Sequence, residues 1–559
     1  MALRSNPIEA TNFIESEINK DIEDGRVSEC VQTRHPPEPS GYMHIGHVRN
    51  IVLNYGLAEK YNGICNLRYD DTNPSKESQE FVESIQEDVK WLGYHWNEIH
   101  YATEYFQQNY EVAVKLIKDG KAYVDDLSAE ELSAYRGTLT QPGKNSPYRD
   151  RSVEENLDLF ERMKNGEFEM GARCLRAKID MASPNINMRD PVIYRIQYLH
   201  HQRIGNTWNI YPSYDFAHPI DDSIEGVTHS IAGPEFEDHI PLYNWVLENA
   251  GLRPVHRMVY SNLYVKGAIL GKRFIKKLVL DGKVSGFDDP RLFTIRGLRR
   301  RGILAESLID FVNAAGVSKA NSVIDPAMLD YFVRNTLNTV SKRVMAVVDP
   351  IKLVITNLKE DEEIEINLAD YPQKEETSHR KYYFGRNLLI ERSDFEIVPP
   401  PKYRRFFVGN EVRLNGAYIV KCTGYETDEN GVVTTVYGEY DPETRSGTAC
   451  TKKVKGTIHW LNEKHAKNIE VRLFENLTIP KEESSVSGGK EQSATEDEIN
   501  PNSLTVLNNC YIEDAVEYNM EDRYQFLRNG YFCLDKDSTD EKLVFNRTVG
   551  LKDSYKPAN

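Results

Sequence analysis

The stretch PPEPSGYMHIGH, Pro36 to His47, limits what this chain can fold into more than any other. A strand-like ECVQTRH leads into a Pro-rich loop punctuated by Gly41, and a helical pattern, HVRNIVLNYGLAEKY, leads out of it. Two histidines three apart bracket Gly46, and a glycine there leaves room for the close backbone approach that phosphate-binding turns require. Imidazoles and helix-start N–H groups donate to oxygens that gain charge as a phosphate is attacked, so His44 and His47 are expected to serve the α-phosphate of ATP. HxxH without Cys or carboxylate at ligand spacing does not make a zinc site, and no protein-held metal is expected.

A second strand, CNLRYDD, and an amphipathic helix, SQEFVESIQEDVKWLG, follow. This is βαβ logic and predicts a doubly wound parallel sheet, Rossmann-like, over residues 1–100 and 205–261. Residues 101–204 have mixed texture and read as an insertion. The sheet is expected to resume at NIYPSYDFAHPIDD, bringing Tyr214 to the strand ends beside the histidine turn. Helical patterns dominate 262–340, and from 341 to 552 short β-rich runs such as AYIVKCTGY and GVVTTVYGEY alternate with turns. The Ser-, Gly- and acid-rich stretch 481–500 is expected to be a solvated loop without core capacity. No internal repeat is found.

At 559 residues the chain has room for about three to five domains. Its net charge of -17 repels nucleic acid at long range, so any RNA binding has to rest on local basic patches. Seven scattered cysteines without a CxxC pair fit a reducing compartment and no structural zinc. The N-terminus lacks an apolar core and no apolar run of about 18 residues occurs, so a cytoplasmic protein without membrane partners is expected.

Four motifs then appear in order: TRHPPEPSGYMHIGH, RYDDTNPSKE (Arg68 to Glu77), YDFAHPIDDSIEGVTHS (Tyr214 to Ser230), and FDDPR with GLRRRG (Phe287 to Gly302). In this order and spacing the chain resembles the glutaminyl-tRNA synthetases of class I, within the glutamyl/glutaminyl subfamily, over nearly its whole length. The resemblance implies an acceptor-stem-binding insertion at 101–204, a helical subdomain at 262–340, and two anticodon-binding β-barrels at 341–552. It implies activation of L-glutamine by ATP with Mg2+, transfer to a glutamine-accepting tRNA with release of AMP and pyrophosphate, and a monomer.

By the same resemblance ATP is bound by Glu38, Pro39, Ser40, His44, Ile45, Gly46, His47, Val48, Arg49, Asn50, Gly233, Asn262, Leu263, Leu270, Gly271 and Lys272. His44, His47 and Lys272 are the catalytic set, with Lys272 holding the pyrophosphate as a point charge. Arg34, Asp70, Tyr214 and Ala232 are expected to bind glutamine: Asp70 pairs the α-ammonium and Tyr214 meets the side-chain amide. Leu139 is implied as the wedge that splits the first base pair of the acceptor stem, and Asp238 as the acceptor that reads a guanine amino group. Arg343, Arg405, Arg413, Gln525 and Arg528 resemble anticodon contacts. Arg296, Arg299, Arg300 and Arg301 form a basic cluster suited to tRNA phosphates.

The chain departs from the family pattern at several places. AILGKR carries Gly271 where the family's signature has serine. SIAGPEF (Ser230 to Phe236) puts Ala232 where glutaminyl enzymes tend to have cysteine and glutamyl enzymes arginine, which favours the uncharged amide. Arg257 stands in for a glutamine elsewhere in the pocket and favours glutamate. GAY after Asn415 lacks a further anticodon arginine. The alternatives are a glutamyl-tRNA synthetase, a catalytically silent tRNA-binding paralogue, and a nucleotidyltransferase that uses no RNA.

Overall fold

Helix α1 (Phe13–Glu23) starts where the Asn12 side chain accepts the backbone N–H of Glu15, and it turns Ile14 and Ile18 inward. After it the sequence alternates as predicted: β1 (Gln32–His35), α2 (Ile45–Lys60), β2 (Ile64–Tyr69), α3 (Gln79–Trp91) and β3 (Ile99–Tyr101). The three strands run parallel, with Gln32 opposite Ile64 and Leu67 opposite Ile99. This computed structural model describes residues 5–73, 78–479 and 499–552; the predicted loop 481–500 and residues 74–77 of RYDDTNPSKE lie outside them, apart from 499 and 500. The chain divides into two compact units, Met1–Tyr264 with Val312–Ile324, and Val265–Phe311 with Asp325–Asn559.

In the first unit the parallel sheet is interrupted by an antiparallel one. Helix α4 (Phe106–Lys118) leads to β4 (Ala122–Asp125); α5 (Ala129–Arg136) and α6 (Val153–Lys164) precede β5 (Cys174–Ala177), β6 (Val192–Ile196) and β7 (Ile210–Pro212). These four strands pack on α4 and α6 through Leu116, Phe160, Met163 and Ile193. The main sheet does not resume at NIYPSYDFAHPIDD. Ile210–Pro212 closes the antiparallel sheet, and the rest of the motif is helix α7 (Tyr214–Glu225), started by Ser213 and ended by Gly226 at φ 84°. The parallel strands return only at β8 (His229–Ala232), followed by α8 (Ile240–Ala250) and β9 (His256–Val259). β8 lies beside β1, where Thr228 N–H donates to the Gln32 carbonyl at 2.9 Å and Gln32 N–H to the Thr228 hydroxyl at 2.8 Å. The carboxyl ends of β1, β2 and β8 therefore share one edge, where ligands of open α/β sheets bind.

The second unit holds helices Lys272–Leu280, Ile295–Arg300 and Pro326–Val340 and two seven-stranded, barrel-like sheets. One sheet uses strands between Pro350 and Asn462 around Trp460, Tyr382 and Phe384. The other joins Lys342–Val344 and Ala346–Val347 to strands from Ala466 to Gly550, around Phe526, Phe532 and Phe545. The stretch 262–340, read from sequence as one helical piece, is shared between the two units. No helix among the described residues is long and apolar enough to cross a membrane.

Candidate nucleotide and amino-acid site

The two histidines of the turn cap α2. His44 is the N-cap residue, and its Nδ1 accepts the Gly46 N–H at 3.1 Å; His47 Nδ1 accepts the His44 N–H at 3.1 Å. The rings lie 3.9 Å apart, tilted by 49°. A nitrogen that accepts carries no proton, which assigns the ring protons of both residues to Nε2. A Cβ on Gly46 would sit 3.0 Å from His44 Cε1. The glycine therefore lets the His44 ring lie close against the start of the helix.

The neighbouring loops are tied together: Asp70 N–H donates to the Pro37 carbonyl at 3.1 Å, Ser78 N–H to that of Pro39 at 3.2 Å, and Ser40 N–H to that of Glu38 at 2.8 Å. Ile45 and Val48 are 0% exposed and can meet a nucleotide only through backbone. Arg49 is also buried, with Nη2 on the Gly316 carbonyl at 2.6 Å. Asn50 joins His35 at 2.7 Å and donates to the Tyr260 hydroxyl at 2.9 Å. Gly233 caps the short helix Pro234–His239, with the Glu235 carboxylate folded over it. Asn262 donates to the Tyr264 hydroxyl and Leu263 is buried. Leu270, Gly271 and Lys272 belong to the second unit, where Gly271 is the N-cap and Lys272 the first residue of a helix.

Asp70 follows β2. Its Oδ1 accepts from the Thr72 hydroxyl at 2.7 Å and its Oδ2 lies 3.2 Å from His218 Nε2. Burial works to raise its carboxyl, but the imidazole and the Thr72 donors hold it down to about 2, so it stays ionised and able to pair an ammonium. Tyr214 stacks on the same imidazole, ring centres 3.9 Å apart, and on Phe236 at 4.9 Å. One histidine thus positions the predicted acid and the predicted tyrosine. Ala232, buried at the end of β8, brings no charge.

Beneath them lies an ionic layer that sequence reasoning missed. Asp222, 0% exposed, accepts from Arg34 Nε at 3.0 Å, from Arg68, and from the Tyr243 hydroxyl at 2.7 Å. Burial opposes its charge, yet the two guanidiniums hold its carboxyl well below the usual range. Arg68 also reaches Glu225 at 3.1 Å. Arg34 is 0% exposed and spends its donors on Asp222 and Ser230, so it forms the floor of the pocket and not a wall facing substrate. Arg257 donates to Ser230 at 2.7 Å and to the Tyr214 hydroxyl at 3.1 Å. The available signal was the spacing on α7: Tyr214, His218, Asp222 and Glu225 recur every three or four residues and share one helix face.

The tRNA positions fall in separate places. Leu139 is 81% exposed on a loop whose shape is set by Arg189, which donates to the carbonyls of Arg136, Thr138 and Gln141 at 2.8–2.9 Å. Asp238 is exposed, and its carbonyl accepts from Asn185 at 2.7 Å. In the second unit the basic cluster is divided. Arg300 is bound to Asp535 at 2.9 Å and to Asp537 at 2.8 Å, and Arg301 donates to the Thr548 carbonyl, so these two hold protein and not RNA phosphates. Arg343 and Gln525 are register partners on paired strands. Arg405 and Arg528 converge on Asp394, at 3.1 and 2.5 Å, while Arg413 is tied apart from them to Thr444 and Ser446.

A parallel sheet whose first turn ends in a histidine-capped helix, with an acid and a tyrosine held at the neighbouring strand ends and two barrel-like sheets in a separate unit, defines a class I tRNA synthetase. Residues 30–339 match the catalytic domain of the tRNA synthetases class I (E and Q), and 341–441 and 457–535 match their anti-codon binding domains. The glutamine--tRNA ligase of Clostridium perfringens is 51% identical over 99% of this chain and 100% of its own. That of Clostridioides difficile is 52% identical over 99% and 100%, and that of Proteus mirabilis 48% over 98% and 97%. The chain belongs to the glutamine--tRNA ligase family.

Proposed function

We propose that the protein joins L-glutamine to its tRNA in two steps, through a glutaminyl-adenylate formed from ATP. The observation that carries this reading is the shared hold of His218 on Asp70 and Tyr214 beside the uncharged Ala232. In this reading the Asp70 carboxylate takes the α-ammonium and the Tyr214 hydroxyl takes the side-chain amide. The Nε2–H groups of His44 and His47 donate to the phosphates as charge develops, and Lys272 supplies the second cation. Mg2+ arrives with ATP. Residues 101–204, with Leu139 and Asp238, serve the acceptor stem; Arg343, Arg405, Arg413, Gln525 and Arg528 serve the anticodon. All seven cysteines are free, which fits a reducing compartment.

The glutamyl reading draws on Arg257, a buried cation beside the pocket. Against it, Arg257 is held by hydrogen bonds to Ser230 and to the Tyr214 hydroxyl. Pyrophosphate exchange and charging with glutamine and with glutamate, with and without tRNA, decide between them. Charging with glutamine alone is expected, and Lys272→Ala should lower turnover far more than tRNA binding. Comparable charging with glutamate would move the assignment to the glutamyl branch, and tight tRNA binding without charging would make the chain a silent relative.

A further inference from the structure

At the edge of the parallel sheet opposite the active site, three residues distant in sequence meet. Asp21 comes from the last turn of α1, His229 from the first position of β8 and His256 from the first position of β9. One ligand atom from each, Asp21 Oδ2, His229 Nε2 and His256 Nδ1, lies within 4.8 Å of the other two. Oδ2 is 3.3 Å from His229 Nε2 and 2.5 Å from His256 Nδ1.

The tautomer of His229 makes this more than a polar contact. The Thr228 hydroxyl lies 3.1 Å from the Gln32 carbonyl and 2.9 Å from His229 Nδ1, and its one proton can go to either. With that proton on the Gln32 carbonyl, His229 carries its own on Nδ1, and Nε2 presents a lone pair. That nitrogen is buried, its side chain 1% exposed, and apart from the Asp21 carboxylate oxygen 3.3 Å away it has no polar partner. In that tautomer two lone pairs face each other in a buried site, and a cation between them satisfies both.

We propose that Asp21, His229 and His256 bind one divalent transition ion, with zinc the best match to two imidazoles and a carboxylate. Thr228 orients His229 in the way that metal-bound histidines are oriented from behind. Ligand bonds of about 2.0–2.1 Å place neighbouring donors roughly 3.3 Å apart. The Asp21–His229 spacing already has that value, and the His256 ring, 32% exposed, has room to draw back and to leave a fourth position to water. Arg26 holds the other oxygen of Asp21 at 2.8 Å; its side chain is 61% exposed, so its opposing charge is screened. The ion would pin α1 to the sheet without touching the reaction, and it departs from the expectation of no protein-held metal. Positions 21, 229 and 256 have no spacing that a sequence motif could show.

The full-length protein, stripped by chelation, is titrated with Co2+ and then Zn2+. One equivalent of cobalt with the visible bands of tetrahedral coordination, displaced by one equivalent of zinc, and a rise in melting temperature with zinc are expected. His256→Gln, at the exposed member, should weaken zinc binding at least about 100-fold and lose the rise, with the melting temperature of the stripped protein nearly unchanged. Asp21→Asn should weaken zinc in the same way and guards against misfolding of either variant. Zinc bound equally by wild type and both variants, or not bound by wild type at all, overturns the proposal; the latter result would mean that a proton occupies the gap.

Discussion

Arg257 donates a hydrogen bond to the hydroxyl of Tyr214 across 3.1 Å. An oxygen that accepts from a guanidinium turns its own proton elsewhere, and stacking on His218 and Phe236 fixes the ring that carries it. Tyr214→Phe is therefore expected to lower kcat/KM for glutamine by about 10- to 100-fold, a loss of one hydrogen bond with a buried partner left unpaired. Charging kinetics over a range of glutamine concentrations check this, and the KM for ATP should hardly move.

Asp222 is the common counter-charge of Arg34 and Arg68. Asp222→Asn leaves two buried guanidiniums undercompensated and is expected to destabilise the first unit by about 3–5 kcal/mol. Urea unfolding followed by fluorescence reads this out. A loss under 1 kcal/mol, on the order of a surface change, would remove the ionic layer from the account.

Gly46→Ala puts a methyl 3.0 Å from the His44 ring. The ring has to give by a few tenths of an ångström, so turnover is expected to fall by less than the roughly 100-fold that a 1 Å misplacement costs. Stability should fall by only about 1 kcal/mol, the worth of one cap.

Burial pushes the Asp71 carboxyl up from 3.8 to about 6, with the Asp70 charge adding to the rise, although Thr103 donates to it twice. The folded protein then keeps a proton that the unfolded chain has released, so this group makes stability fall as pH rises from about 4 to about 6, and the loss persists above that. Asp71→Asn should remove this part of the slope. Denaturant midpoints for both proteins across that window test it, and parallel curves would refute it.

Leu139 and Arg189 separate contact from support. Leu139→Ala, at a position 81% exposed, should leave stability within about 0.5 kcal/mol and lower tRNA charging. Arg189→Lys loses the fork that holds three carbonyls and should lower charging through a looser loop. Proteolysis near residue 139 should speed up in Arg189→Lys alone.

The parts of the molecule legible in sequence were those written in local pattern. The strand, turn and helix around His44, the helix from Gln79 and the β-rich C-terminal third all follow from periodicity and turn residues over short windows. Tyr214–Glu225 was misjudged because the aromatic run and Pro219 mask a helical period of polar residues. Asp222 could not be found as a centre, since its partners come from β1 and β2, more than 150 positions away. The GLRRRG cluster failed largely for the same reason: besides the nearby Asp288, the acids that claim Arg300 lie 235 and 237 residues further on. Charge density is visible in a sequence, whereas the address of each charge is a property of the fold.

Asp394, 0% exposed, has one consequence for how the second unit meets RNA. Arg405 and Arg528 both start from an internal salt pair, so a base or phosphate that met them would have to trade places with a carboxylate instead of displacing loosely held ions. Affinity that depends on them will be less sensitive to added electrolyte than a tally of arginines implies, and changes at the two positions will not sum.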